Sequence, residues 1–150
     1  YTGGIVLGAT TECVDTERPI NQTYDISHIS TPEILNCAQS FIGEQSQFPP
    51  AHSAVKINGK RAYELARKGL EVALKAKTIT IKKFELTTIE LPIIHFSVSC
   101  TKGTYIRSLA NDFGKRLNNG AYLHSLRRTK IGNFSVEDAY SVEQIIDKIK

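Results

Sequence analysis

Between Ile94 and Leu117 the spacing of the apolar residues changes from two to three and four, and this change restricts the fold more than any other feature of the chain. Ile94, Phe96, Val98 and Cys100 alternate with His95, Ser97 and Ser99, the pattern of a strand with one buried face. Beyond Gly103, the residues Ile106, Leu109, Ala110, Phe113 and Leu117 fall at i, i+3, i+4, i+7 and i+11, one side of a helix that Asn118, Asn119 and Gly120 end. A half-buried strand leading into an amphipathic helix must share a core with it, so the chain is neither all-α nor all-β. Upstream, β-branched and aromatic residues dominate from Lys77 to Leu91, with Ile79 and Ile81 in alternation and Phe84 and Leu86 displaced by one residue, as a bulge would displace them. These two strands are expected to pair.

The remaining elements fit the same class. YTGGIVLG, residues 1–8, reads as a strand, followed by a polar loop through Thr10, Asp15, Glu17 and Pro19. Ser30, Thr31, Pro32 and Glu33 form a capping-box start, and Ile34, Leu35, Ala38, Phe41 and Ile42 keep helical spacing up to Gly43. Pro49 and Pro50 break the chain; Asn58-Gly59 then marks a turn, and Ala62, Leu65 and Ala66 a short helix stopped by Gly69. A strand is expected from about Leu123 to Ile131, and a last helix through Ile145, Ile146 and Ile149, capped by Ser141 and Gln144. The sum is an α+β domain with a mixed, mostly antiparallel sheet flanked by helices.

Composition narrows the function classes. At 150 residues the chain fits one domain with a real core, and the net charge of +4 favours a polyanionic partner without requiring one. Cys13, Cys37 and Cys100 are odd in number, far apart and without C-x-x-C spacing, which argues against a disulfide framework or a zinc site and for a reducing, cytoplasmic compartment. No apolar run approaches the roughly 20 residues that span a bilayer. The chain contains no methionine, so a segment upstream of Tyr1 is expected.

The candidate site centres on CTKGTYIRSLANDFG, residues 100–114. Arg107 lies on the first helical turn, where backbone N–H groups are unpaired, behind the Lys102-Gly103 corner. Two readings of it stand: a fork that holds a phosphate or carboxylate through two parallel hydrogen bonds, or an exposed arginine paired with a nearby acidic residue. Tyr105 beside it and Tyr1 suit stacking on an unpaired base, or are packing residues with a hydroxyl at the surface. Lys56, Lys60, Arg61, Arg67, Lys68, Arg127, Arg128 and Lys130 follow turns, as residues tracking a phosphate backbone or as a solvated face. The four histidines show no metal-ligand spacing, and there is no P-loop or dinucleotide fingerprint. The residues alone thus reach an RNA- or anion-binding α+β domain and stop short of a reaction.

The ordered blocks YTGGIVLGATTECVD, PPAHSAVKINGKRAYELARKG, CTKGTYIRSLANDFG and GAYLHSLRRTKIGNF resemble the TruB family of tRNA pseudouridine-55 synthases. The resemblance implies the pseudouridine synthase fold and isomerisation of the T-loop uridine of tRNA, without metal or organic cofactor. A catalytic aspartate attacks the flipped-out nucleotide, the glycosidic bond breaks, and the base is reattached through carbon. It implies that Arg107 pairs with that aspartate, that Tyr105 is the neighbouring active-site tyrosine, and that Leu126 packs in the pocket. Tyr1 then lies against the target base, and Lys102 and Lys56 are substrate-binding candidates, Lys56 through RNA contact. Pro50, Ser53, Ala54, Gly59 and Tyr63 match a block whose part is structural.

The family's nucleophile belongs to a G-x-L-D-P-type loop upstream of the position matching Tyr1, and none of Asp15, Asp25, Asp112, Asp138 and Asp147 stands in such a context. The expectation is therefore the C-terminal part of a catalytic domain, a partial domain lacking the nucleophile, inactive alone and without an extra C-terminal RNA-binding domain. Arg107 is expected to have a substitute partner, such as water, an anion or a local acidic side chain, or to be disordered. The competing readings are a non-catalytic module for structured RNA and a protein-interaction domain with solubilising basic residues.

Overall fold

The computed structural model describes residues 1–51, 53, 56–57, 60–66 and 74–149, with the backbone alone at 56–57, 60–61 and 65–66. The chain begins with β1 (Thr2–Leu7), β2 (Ala9–Thr11) and β3 (Ile20–Thr23), then α1 (Thr31–Gln39) and β4 (Gly43–Gln47). Next come β5 (Lys56–Ile57), β6 (Lys60–Arg61), α2 (Ala62–Ala66), β7 (Lys77–Glu90) and β8 (Ile93–Cys100). The last elements are α3 (Ile106–Arg116), β9 (Ala121–Arg127), β10 (Lys130–Ile131), β11 (Phe134–Ser135), a 3-10 turn at Val136–Asp138 and α4 (Val142–Ile149).

Five strands form one sheet in the order β4-β7-β8-β1-β9, and every pairing in it is antiparallel. The expected hairpin of β7 and β8 is present, and its register shifts between Ile81 and Lys83, where the bulge was read. The first strand, β1, lies between β8 and β9, so Thr2 has Ser97 on one edge and Arg127 on the other, both far along the chain.

The alternation read in β8 buries Ile94, Phe96 and Val98 and leaves His95 and Ser99 at the surface. Both long helices cover the buried face, α1 against β7 and α3 against β9. The ring of Phe84 meets those of Phe41, Phe96 and Phe113 at centroid distances of 6.0, 5.8 and 6.0 Å, each edge to face. This aromatic cluster joins the turn just after α1, strands β7 and β8, and α3. Helix α3 approaches β9 so closely that a Cβ on Gly114 would lie 2.5 Å from the backbone nitrogen of Ala121.

Local chemistry sets the helix ends. Ser30 and Glu33 make the reciprocal capping box, with Ser30 N–H donating to Glu33 Oε2 at 2.8 Å. Ser141 and Gln144 do the same at α4. Helix α1 ends at Gln39 rather than continuing to Gly43, and Leu35 and Ile42 are exposed while Cys37 takes a buried place. The single strand expected from Leu123 to Ile131 is two elements, because Arg128 and Thr129 leave the sheet and β10 turns back to pair with β11. The hairpin of β2 and β3 and the polar edge strand β4 carry too few apolar residues to show a period. β5 pairs with β6; Asn58 and Gly59, where the sequence marks a turn, lie outside the described part, as does Gly69.

The central position of Phe84 gives the fold's first test. Phe84→Ala should destabilise the protein by about 3–5 kcal/mol in denaturant unfolding, whereas Leu35→Ala, at an exposed site, should change stability by no more than about 0.5 kcal/mol.

Candidate active site

Side chains beyond the α3 start hold the corner that carries Arg107. Tyr105, the N-cap residue of α3, makes no side-chain cap. Instead the buried Gln47 at the end of β4 reaches across, its Oε1 accepting from Tyr105 N–H at 2.8 Å and its Nε2 donating to Tyr105 C=O at 3.1 Å. That amide imitates a strand pairing and satisfies a backbone N–H that the helix leaves open. Ser108 Oγ donates to Phe48 C=O at 2.6 Å, and Thr104 Oγ1 to Thr101 C=O at 2.8 Å. Gly103 makes the preceding turn at φ +83°. Tyr105 and, through Ser108, the helical turn that carries Arg107 are thereby held by Gln47 and Phe48 at the end of β4, 58 and 60 positions away.

Arg107 Nη1 donates to Asp15 Oδ2 at 3.2 Å and to the carbonyl of Cys13 at 3.3 Å. The two charged side chains are 25% and 24% exposed, so the pair is shielded from solvent more than a surface ion pair is. Asp15 Oδ1 accepts from the Cys13 thiol at 2.8 Å and from Glu17 N–H at 2.9 Å. Burial pushes the Asp15 carboxyl up, but the Cys13 thiol, the Glu17 N–H and the Arg107 charge together outweigh it and hold it below the ordinary carboxylate range. Asp112 goes the other way: burial raises its pKa against the opposing charges of Lys115 and Arg116.

Arg107 and Asp15 line an open cleft of about 850 Å³ together with Glu17, Ser53, Tyr63, Tyr105 and Leu126. Three of the residues singled out from the sequence, Arg107, Tyr105 and Leu126, therefore converge. Leu126 reaches the cleft because β9 passes a register irregularity beside Gly4 and Ile5, after which its residues leave the core; Leu126 is 45% exposed. Ser53 is buried here, and its Oγ has no hydrogen-bond partner among the described residues. Tyr1 and Lys102 line a different recess of about 300 Å³, beside Arg128 and Lys130. Tyr1 also closes the sheet, exchanging hydrogen bonds of 2.9 Å with Val98. Lys56 belongs to β5, but its side chain lies outside the described part.

The sequence reading missed Asp15. Among the described residues the charged partner of Arg107 is an acidic side chain, one of the alternatives expected, but no period or motif marked which one. Asp15 belongs to the eight-residue link between β2 and β3 and meets Arg107 across 92 positions. Cys13, Asp15 and Glu17 bring ligand atoms within 4.8 Å of one another, the one such group among the described residues, and Arg107 already supplies positive charge there.

Residues 1–106 match the family profile described as TruB family pseudouridylate synthase, N-terminal domain, and residues 107–150 that of the tRNA pseudouridylate synthase B C-terminal domain. The chain belongs to the TruB family. Among TruB relatives, it is 50% identical over 143 residues to the tRNA pseudouridine synthase B of Phocaeicola vulgatus, covering 95% of this chain and 61% of that protein. To the tRNA pseudouridine synthase B of Chloroherpeton thalassium it is 47% identical over 150 residues, covering 99% of this chain and 62% of that one. The chain thus spans a little over three-fifths of the length of these curated TruB relatives. A solved Cbf5-Nop10-Gar1 complex and an H/ACA RNP bound to a substrate RNA share the fold, with TM-scores of 0.57 and 0.59 at 22% and 21% identity. They cover 97% of this chain and 35% and 33% of those chains. The expected pseudouridine synthase fold is the one observed.

The lowered pKa of Asp15 fixes the sign of a stability experiment. A carboxyl with a folded pKa below its unfolded one contributes stability that is present above the unfolded pKa and lost as the pH falls through the folded value. Asp15→Asn should therefore lower stability at neutral pH, and the gap between variant and parent should close on acidification below the ordinary aspartate range. Denaturant unfolding across that window measures it.

Proposed function

We propose that this chain builds the pocket wall of a tRNA pseudouridine synthase whose substrate is the T-loop uridine of tRNA, the one that becomes pseudouridine-55. The observation that supports it is the convergence of Arg107, Tyr105 and Leu126 on one cleft, with the guanidinium held from one side by Asp15. Attack on a nucleotide by a carboxylate requires that the carboxylate stay ionised and aimed, and a guanidinium beside it does both. A guanidinium carries five N–H donors in a rigid fork and can serve two carboxylates, so Asp15 can anchor Arg107 while Arg107 orients the nucleophile. An extruded uracil has two flat faces, which suit Tyr105 and Leu126 as neighbours. Breaking the glycosidic bond and rejoining the base through carbon conserves every atom, so the chemistry calls for neither metal nor organic cofactor.

The nucleophile, in this reading, is an aspartate outside these 150 residues, in a loop of the G-x-L-D-P type. Asp15 is engaged by Arg107, and Asp25, Asp112, Asp138 and Asp147 do not line the cleft. Tyr1 and Lys102, in the neighbouring recess, together with Lys56, are assigned to the tRNA T-arm around the flipped nucleotide. The reaction belongs to the cytoplasm, where its substrate is found; no described helix is long and apolar enough to cross a membrane.

A second reading, a non-catalytic module for structured RNA, draws on the exposed Lys102, Arg127, Arg128 and Lys130, which have no acidic partner among the described residues. It predicts binding whose logarithm falls linearly with the logarithm of salt concentration, with no isomerisation by any form of the protein.

Pseudouridine formation on a T-arm RNA separates the two. The 150 residues alone should form none, and the same residues joined to a natural upstream segment carrying the aspartate loop should restore it. In that enzyme Arg107→Ala should lower turnover roughly 10²- to 10³-fold with RNA affinity little changed. Full turnover by the variant would remove the pairing; binding without any pseudouridine would favour the module.

A further inference from the structure

The link that carries Asp15 is held far more tightly than an eight-residue connection between two short strands requires. Thr11 Oγ1 donates to the carbonyl of Asp15 at 2.7 Å, and Val14 N–H donates to Thr11 C=O at 3.2 Å. Leu123 N–H, on β9, donates to Val14 C=O at 3.0 Å, so the link is tied to the strand that presents Leu126. Val14 has φ +63°, a left-handed conformation that a β-branched residue adopts only when its surroundings enforce it. Strain of this kind persists where a neighbouring group must be held in one place.

Cys13 stands where these restraints meet. It is 1% exposed, and it contacts both members of the ion pair. Its thiol donates to Asp15 Oδ1 at 2.8 Å, and its carbonyl accepts from Arg107 Nη1 at 3.3 Å. Glu17 N–H takes the same Oδ1, so that oxygen is fixed by two donors from its own link and Oδ2 is left turned toward Arg107. A carboxylate on a single Cβ–Cγ bond otherwise rotates among broad, nearly equivalent orientations. Among the described residues, the charged groups that line the cleft with Asp15 are Arg107 and Glu17, and only the first attracts it.

We propose that Cys13 is a positioning residue: its thiol locks the Asp15 carboxylate in the orientation that holds Arg107 at the cleft. A hydroxyl at this place would serve as well, since an O–H donates to a carboxylate more strongly than an S–H does, whereas an alkyl group would not. Burial excludes the thiol from contact with the substrate, so it acts through Asp15 and Arg107 alone.

Comparison of Cys13→Ala with Cys13→Ser isolates the hydrogen bond, because the two side chains leave similar space and only serine donates. Asp15 should titrate at a higher pH in the alanine variant of the full-length protein than in the parent, and at close to the parental pH in the serine variant, as followed by carboxyl NMR. The consequence for turnover rests on the synthase reading: kcat should fall about tenfold in the alanine variant, the worth of one hydrogen bond to a charged group, with KM unchanged and serine restoring the rate. An Asp15 titration that alanine leaves unmoved, or an equal loss in both variants, would overturn the proposal and leave Cys13 a packing residue. A parent enzyme that forms no pseudouridine would sink the synthase reading instead, while the titration still decides the role of Cys13.

Discussion

The position of the cleft depends on the packing of Phe41, Phe84, Phe96 and Phe113. Their rings bring α1 and α3 to one face of the sheet, with Phe84 meeting the other three. With both helices on that face, the N-terminus of α3 opens beside the end of β9, where the strand has left the core. The close approach at Gly114 leaves α3 little freedom to slide along β9. Arg107 and Leu126 therefore face one space because a core cluster more than a helical turn away fixes the elements that carry them.

Polar bonds complete what apolar packing begins. Hydrophobic burial sets where a helix lies but is indifferent to small rotations of its first turn. The Gln47 amide on the Tyr105 backbone and the Ser108 hydroxyl on the Phe48 carbonyl supply that direction. Arg107 is then met by Asp15 and the Cys13 carbonyl from the opposite wall. Each bond joins segments far apart in sequence, and those of Gln47 and Ser108 satisfy side chains that are buried.

The same chain shows where burial has not occurred. Helix α4 has the spacing and the cap of an amphipathic helix, yet Val142, Ile145, Ile146 and Ile149 are all exposed. Phe134 and Ile131 in the preceding hairpin are exposed as well. Periodicity records that a helix has an apolar side; it carries no information about what covers it.

Sequence by itself determined the elements with strong periods and local caps: β7, β8, α3, the start of α1 and the cap of α4. In these the signal and the structure arise from the same neighbouring residues, through alternation, helical spacing or a reciprocal hydrogen bond between positions three apart. It also pointed to Arg107 and Tyr105, through their place at the start of the α3 pattern and through the motif blocks, and to Leu126 through the motif blocks alone. Tertiary structure alone decided that Asp15 is the partner of Arg107, that Gln47 holds Tyr105, and that Tyr1 and Lys102 stand in a recess apart from the cleft. The physical reason is distance along the chain: a link such as residues 12–19, without apolar period or cap, takes its shape from what it is folded against, and its one decisive contact spans 92 positions.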